Sequence, residues 1–384
     1  MIYLNSAASS FPRAPGVARA ISDALERPPK HPGRSATCTE NAALHCREQL
    51  ASLLGVKDAT RIVHTQNATH AINIAIRGLI ESRDEMTHVI TSVAEHNAVL
   101  RPLNHLAHRK RARISIVGFD ADGKLDRERF SRALADGADF IVLNHASNVT
   151  GRVNDVGPLF AEARKSGAIT MLDASQSLGH IPVNAGGLSC DMIAFTGHKG
   201  LHGPPGTGGL YVASGIDLEQ TIVGGTGGRS DLEYHPVEMP ERLEAGTPNM
   251  PAIEGLSAAL NWLAGRESGF LARERELGVR LREELAKIPG MRVFDNNTGG
   301  EVLGVVSCRL DGWEPREMAY ALEQSFGIIC RAGLHCAPLM HRSIASWPHG
   351  TVRFSVTGFN TAEDVEKALE AVRTLAESRG KSSA

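Results

Sequence analysis

The chain has 384 residues, 42% of them hydrophobic and 22% charged, which is enough apolar material for one large folded unit and a smaller one. A formal net charge of −2 gives nucleic acid or a membrane surface no electrostatic footing, and no apolar run approaches the roughly 18 residues of a membrane span. The start, Met1-Ile2-Tyr3-Leu4-Asn5, lacks the basic and then apolar pattern of a secretory signal. Cys38, Cys46, Cys190, Cys308, Cys330 and Cys336 are scattered without metal-type spacing, so the expectation is reduced thiols in a cytoplasmic protein with no metal site.

Helical and strand signals alternate from about residue 40 to 215. Ala42 to Leu54 is an amphipathic helix ending at Gly55, and Ala68 to Ile80 is another, opened by Asn67 or Thr69. His88 to Thr91 reads as a short strand, and His96 to His108 as a helix. Arg109-Lys110-Arg111 then reads as a solvated helix end that complements the dipole, with a partner patch as the alternative. Ile114 to Val117, Phe140 to Leu143, Ile169 to Leu172 and Asp191 to Phe195 are short apolar runs bounded by turn residues, hence buried strands. Helices over Leu125 to Ala135 and Val156 to Ser166 lie between them. This alternation predicts an α/β fold with a mostly parallel sheet flanked by helices, and such sheets bind ligands beyond the carboxyl ends of their strands. Residues 215–250 are loop-rich. Helices near 252–265, 270–287, 315–325 and 361–377, with strands near 302–309, 327–330 and 351–356, predict a smaller C-terminal α+β unit. The expected division is a large domain over 15–250 and a small one from 1–14 and 251–384. The tail from Ser378 is polar and expected to fray.

Chemistry-bearing residues fall at the strand ends. Asp173, in Leu172-Asp173-Ala174-Ser175-Gln176, ends one apolar strand. Lys199, in Thr196-Gly197-His198-Lys199, follows the next and sits at the lip of a glycine- and proline-rich loop, Gly200 to Gly209. An isolated loop lysine is by default a solvated charge. A lysine and a carboxylate at the mouths of two strands of one sheet are also the two handles of pyridoxal phosphate: one forms a Schiff base, the other pairs with the pyridinium nitrogen. Asn67-Ala68-Thr69 opens a helix whose amides are free for a phosphate, or are simply capped. Glu95-His96-Asn97 and Asn144-His145-Ala146-Ser147-Asn148 end two further strands, and Arg242 to Asn249 is a polar turn.

Together these motifs resemble the fold-type I, class V aminotransferase superfamily and, within it, the cysteine desulfurases. The likeness runs from Tyr3-Leu4-Asn5-Ser6-Ala7-Ala8 through Ser147-Asn148-Val149-Thr150-Gly151 and Glu244-Ala245-Gly246-Thr247-Pro248-Asn249 to Arg331-Ala332-Gly333-Leu334-His335-Cys336 and Val352-Arg353-Phe354-Ser355. The resemblance implies a seven-stranded-type sheet and the following roles. Lys199 carries the cofactor covalently, Asp173 keeps its pyridine nitrogen protonated, and His96 stacks on the ring. Asn148 and Gln176 address the ring oxygen. Thr69, Thr196 and His198 hold the phosphate, Ala68 also binds the cofactor, and Thr247 reaches the phosphate from the other subunit of a homodimer. Arg353 binds the substrate carboxylate, and Asn148, Ala8 and Arg331 also contact the substrate. Cys336 attacks the sulfur of L-cysteine and becomes a persulfide, leaving L-alanine.

The short stretch between Cys336 and Arg353 resembles group II desulfurases, which implies a dedicated sulfur-acceptor protein. Leu334 stands where the family often has a second histidine, and His31-Pro32-Gly33-Arg34 matches the family's His/Arg/Gly segment only loosely. Cys330 reads as core. Three other readings stay open on the sequence: a selenocysteine lyase acting on L-selenocysteine, a class V aminotransferase or carbon–sulfur lyase in which Cys336 is incidental, and a sulfur-transfer scaffold without turnover.

Overall fold

The computed structural model describes residues 1–28, 40–294 and 300–380; His31 to Arg34, Cys38 and the last four residues lie outside that set. In chain order the elements are β1 (Ile2–Tyr3), α1 (Val17–Leu25), α2 (Ala42–Leu54), β2 (Ile62–Thr65), α3 (Ala68–Ile80), β3 (Thr87–Ser92), α4 (Asn97–His108), β4 (Ala112–Val117), α5 (Arg127–Ala135), β5 (Phe140–Asn144), α6 (Gly157–Lys165), β6 (Ile169–Asp173), β7 (Met192–Thr196) and β8 (Gly208–Val212). They continue with α7 (Met250–Gly265), α8 (Phe270–Ala286), β9 (Met291–Phe294), β10 (Val305–Leu310), α9 (Pro315–Phe326), β11 (Ile328–Ile329), β12 (Arg331–Gly333), α10 (Pro338–Ser343), β13 (Thr351–Ser355) and α11 (Ala362–Gly380).

The expected α/β architecture is present. Seven strands form one sheet in the order β2-β8-β7-β6-β5-β3-β4, parallel throughout except for β8, which runs against both of its neighbours. Its central strands are continuous apolar runs because both faces are covered. Phe140 and Val142 of β5, with Met192 and Ala194 of β7, pack on the face holding Ile72, Ile76 and Leu103. Ile141, Leu143, Ile193 and Phe195 point the other way, toward Leu50, Phe130 and Phe160. The side-chain period of two thus divides each run between two cores.

Local chemistry sets the helix ends on the site side. The Asn67 side chain accepts from the amide of His70 and opens α3; His96 caps α4 through Nδ1, which accepts from the amide of Ala98. His96 therefore precedes the helix rather than starting it. Helix α2 stops at Gly55, whose φ of 67° and contact with the Asn184 amide, which a Cβ would meet at 2.0 Å, require glycine.

The smaller part is an antiparallel sheet, β12-β13-β10-β9. Leu281, Leu285, Val306, Val352, Phe354, Leu369 and Val372 form the core between this sheet and its helices. Strand β1 pairs in parallel with β11 and ties the N-terminus to this part. We propose the same division into a large and a small domain as the sequence gives grounds for, but with the boundary moved from 250 to the end of α7. Ile253, Leu256, Leu260 and Leu263 of that helix pack into the core of the large sheet, and it lies against α1 and α2.

Several boundaries need correction. The loop expected to run to Gly209 ends earlier, because Gly208 and Gly209 already belong to β8. A Cβ on Gly209 would lie 2.4 Å from the Phe195 ring, so packing demands glycine in a strand that propensity disfavours. The strand expected near 327–330 is the two-residue β11, and the stretch read as a cysteine loop begins with β12. Helix α11 continues to Gly380, past the expected fraying point. Among the described residues no helix is long and apolar enough to cross a membrane.

Candidate active site

The carboxyl ends of β3, β5, β6 and β7 open on one edge of the sheet, and the residues that follow them converge there. A cavity of about 270 Å³ is lined by Ala8, Ala68, Thr69, His96, Asn148, Asp173, Gln176, Thr196, His198, Lys199 and Arg331. All eleven were singled out from the sequence, and they come from seven separate stretches of the chain: Ala8, 68–69, His96, Asn148, 173–176, 196–199 and Arg331.

Asp173 ends β6 almost completely buried, its Oδ1 accepting from the amide and hydroxyl of Ser175. Lys199 leaves β7 after a turn in which the amide of Gly203 donates to Gly197 O. Burial pushes its ammonium down to about 8, with the Arg353 and Arg331 charges acting in the same direction and Asp173 opposing them. The neutral amine, the form that condenses with an aldehyde or removes a proton, is then far more accessible near neutral pH than for an ordinary lysine. Burial, then Lys199, lowers His96 to about 4, so its ring is neutral and suited to lie against an aromatic face.

The polar inventory fits pyridoxal phosphate. Asn144 Oδ1 and Asn148 Oδ1 are buried without a partner. Asn67 takes the amide of His70, while those of Ala68 and Thr69 have no intrahelical acceptor. An amine, a buried carboxylate, a flat neutral ring and a helix N-terminus thus surround one cavity. Gln176 donates from Nε2 to Ala7 O, and Thr196 donates from Oγ1 to Thr207 O.

Cys336 and Arg353 do not line this cavity; they stand behind Arg331. Arg331 faces Arg353 across β12 and β13, and its Nη2 lies 3.5 Å from Cys336 Sγ. Arg353 is wholly buried, donating to Asn148 O at 2.8 Å and to Asn5 Oδ1 at 3.3 Å. Burial and the Arg331 charge both push its guanidinium down. Cys336 is half-buried. His335 and Cys336 have φ of 47° and 60°, left-handed at two consecutive non-glycine residues. The conformation is held from outside: Asn97 N donates to Cys336 O and Asn148 Nδ2 to His335 O, both at 2.7 Å, and the His335 ring pairs with Thr351 Oγ1 at 3.0 Å.

Thr247 lies elsewhere. It is exposed and lines a second cavity of about 420 Å³ with Arg47, His64 and Glu244. Glu244 accepts two hydrogen bonds from Arg47 Nη2, at 2.8 and 2.6 Å, and one from the amide of His64. The Arg47–Glu244 pair, 197 residues apart, left no local mark in the sequence. Glu95 was also missed as an ionisable group: it is fully buried, accepts from Ser92 Oγ and Asn144 N, and burial raises it to about 8.

Comparison with known proteins gives the same picture. The family profile described as aminotransferase class-V matches residues 2–368. A probable cysteine desulfurase of Methanothermobacter thermautotrophicus is 30% identical over 389 residues, covering 98% of this chain and 94% of that protein. A probable cysteine desulfurase 2 of Mycobacterium leprae is 34% identical, covering 85% of this chain and 79% of its own. Among solved structures, apo cysteine desulfurase from Thermococcus onnurineus NA1 superposes with a TM-score of 0.90 at 29% identity, over 98% of this chain and 95% of that one. A cysteine desulfurase from Escherichia coli gives 0.86 at 28% identity, over 98% and 94%. The chain belongs to the class V aminotransferase superfamily and, within it, to the cysteine desulfurase family.

Proposed function

We propose that this protein is a pyridoxal-phosphate-dependent cysteine desulfurase, converting L-cysteine to L-alanine with a persulfide on Cys336 that supplies sulfur for iron–sulfur clusters or thio-cofactors. The observation that carries the reading is the Cys336 thiol, 3.5 Å from the Arg331 guanidinium, which itself lines the cavity of Lys199 and Asp173. When bound, pyridoxal phosphate supplies the electron sink for a carbanion at the substrate Cα.

Each group has a task that its surroundings support. Lys199, with its depressed pKa, holds the cofactor and later moves the Cα proton. Asp173 keeps the ring nitrogen protonated through its opposite charge. His96 stacks, Asn148 and Gln176 address the ring oxygen, and Ala68, Thr69, Thr196 and His198 face the phosphate. Arg331 and Arg353 oppose each other across two strands, and neither has a carboxylate partner among the described residues. Two such guanidinium groups call for an anion, and the α-carboxylate of an amino acid supplies one in a bidentate fork. The Cys336 thiolate, its sulfur 3.5 Å from Arg331 Nη2, then attacks the substrate sulfur. The new S–S bond forms as the C–S bond breaks, the electron pair stays on the carbon, and that carbon takes a proton to become the methyl group of alanine. Thr247 completes the phosphate site of a partner subunit in a cytoplasmic homodimer, and a separate acceptor protein unloads the persulfide.

Mass spectrometry of the cofactor-loaded protein tests the reading. After L-cysteine without reductant, one extra sulfur on the peptide containing Cys336 is expected, removable by dithiothreitol. Alanine formation with Cys336 unmodified would move the protein to the lyases or aminotransferases. The same incubation with L-selenocysteine separates desulfurase from selenocysteine lyase.

A further inference from the structure

The N-terminal segment from Ser9 to Ala14 brackets the Lys199 turn. Ser10 N donates to His198 O at 2.8 Å, and Ala14 N to His202 O at 3.0 Å. Arg13 Nη1 donates to the same His198 carbonyl at 3.0 Å and to Ser10 Oγ at 3.1 Å, while Nη2 donates to Ser9 Oγ at 2.9 Å. Ser9 Oγ in turn lies 3.1 Å from His198 Nδ1. Tyr3 Oη donates to Ser9 O at 2.7 Å and fixes the backbone from which this hydroxyl projects.

We propose that Arg13 and Ser9 are positioning residues that set the tautomer of His198, so that its Nε2 carries the proton toward the cofactor phosphate. The proposal rests on the reading that this cavity takes pyridoxal phosphate. It follows from counting donors. A guanidinium only donates, so Ser9 Oγ accepts from Arg13 and has a single hydrogen of its own to place. Donating that hydrogen to His198 Nδ1 satisfies all three groups. The opposite tautomer, with the proton on Nδ1, would make Ser9 accept twice and leave its hydroxyl hydrogen unplaced. With Nδ1 an acceptor, a neutral imidazole has its N–H on Nε2, the ring nitrogen not engaged by Ser9, in a residue that lines the cavity. Burial, Lys199 and Arg13 together push His198 down to about 4, so the neutral ring is the form present at physiological pH.

The test compares affinities of the cofactor-free protein for pyridoxal phosphate and for pyridoxal, which has the same aldehyde and ring without the phosphate. Both are followed by the visible absorption of the bound ligand. Ser9→Ala removes the hydroxyl and frees the imidazole to flip. It should weaken pyridoxal phosphate by about tenfold, the scale of a hydrogen bond to a charged group, while pyridoxal binds within about twofold of the parent. Ser9→Thr keeps the hydroxyl and should restore the affinity; Arg13→Gln should fall between the two alanine and threonine results. Equal weakening of both ligands in Ser9→Ala, or no weakening of either, would overturn the tautomer role. A parent protein that binds neither ligand covalently would instead remove the pyridoxal phosphate reading itself, and the proposal with it.

Discussion

Lys199 and Cys336 stand on two rims of the same site and are held there in different ways. The Lys199 rim is the end of a sheet. Every residue of β7 is buried, and the strand is hydrogen-bonded on both sides, to β6 and β8. The Cys336 rim is a turn between β12 and α10 that carries two consecutive left-handed residues, a conformation costing of order 1–3 kcal/mol per residue. It is held by a few long-range hydrogen bonds from Asn97, Asn148 and Thr351. Lys199 is thus built on the hydrophobic core, and Cys336 on a strained loop fastened to that core. On the proposed reading, a sheet fixes the parts that must not move, and a loop carries the thiol that must meet both substrate and acceptor.

Breaking the sheet rim should cost most. Lys199→Ala removes both the covalent anchor and the base, and turnover should fall by about 10²–10⁴-fold in an alanine-release assay, with loss of the visible band of the bound cofactor. Phe195→Ala, beneath Gly209 in the next strand, should destabilise by about 3–5 kcal/mol in denaturant titrations and loosen Lys199 with it. Thr351→Val probes the loop rim. It removes the partner of the His335 ring, should cost about 1 kcal/mol, and should change the rate of Cys336 alkylation several-fold while the cofactor band stays as in the parent. Equal loss of cofactor in this variant would show that the two rims are one unit.

An effect that depends on pH concerns Glu95, which closes β3 against β5. Its carboxyl is raised in the folded protein, to about 8. Both states hold the proton below about pH 4.3. As pH rises toward 8 the unfolded chain releases it and the folded one does not, so this group progressively destabilises the fold. Glu95→Gln lacks that penalty. Its stability relative to the parent should therefore rise between pH 5 and 8, read from denaturation curves at each pH.

The sheet rim was legible because its signals are local. Phe140 to Leu143 and Ile169 to Leu172 are apolar runs that end in residues lining the cavity, and Lys199 follows a third. Strand β8 was not, because Gly209 answers to the Phe195 ring 14 residues away, and Gly208 to the Phe195 carbonyl and the Asn67 backbone, rather than to strand propensity. The loop rim was legible only as a resemblance. Nothing near His335 foretells that Asn148, 187 residues distant, donates to its carbonyl, or that Thr351 pairs with its ring. Arg13, Ser9, Arg47 and Glu244 were silent for the same reason: each acts on a partner that only the fold brings near.

The most direct test gives L-cysteine and a reductant to the cofactor-loaded protein, with Cys336→Ala beside it, and measures alanine and sulfide together. The account predicts equal amounts of both products from the parent and neither from the variant, whose cofactor band is unchanged. Alanine from Cys336→Ala at the parental rate would contradict it, because the thiol on the loop rim would then take no part in breaking the carbon–sulfur bond.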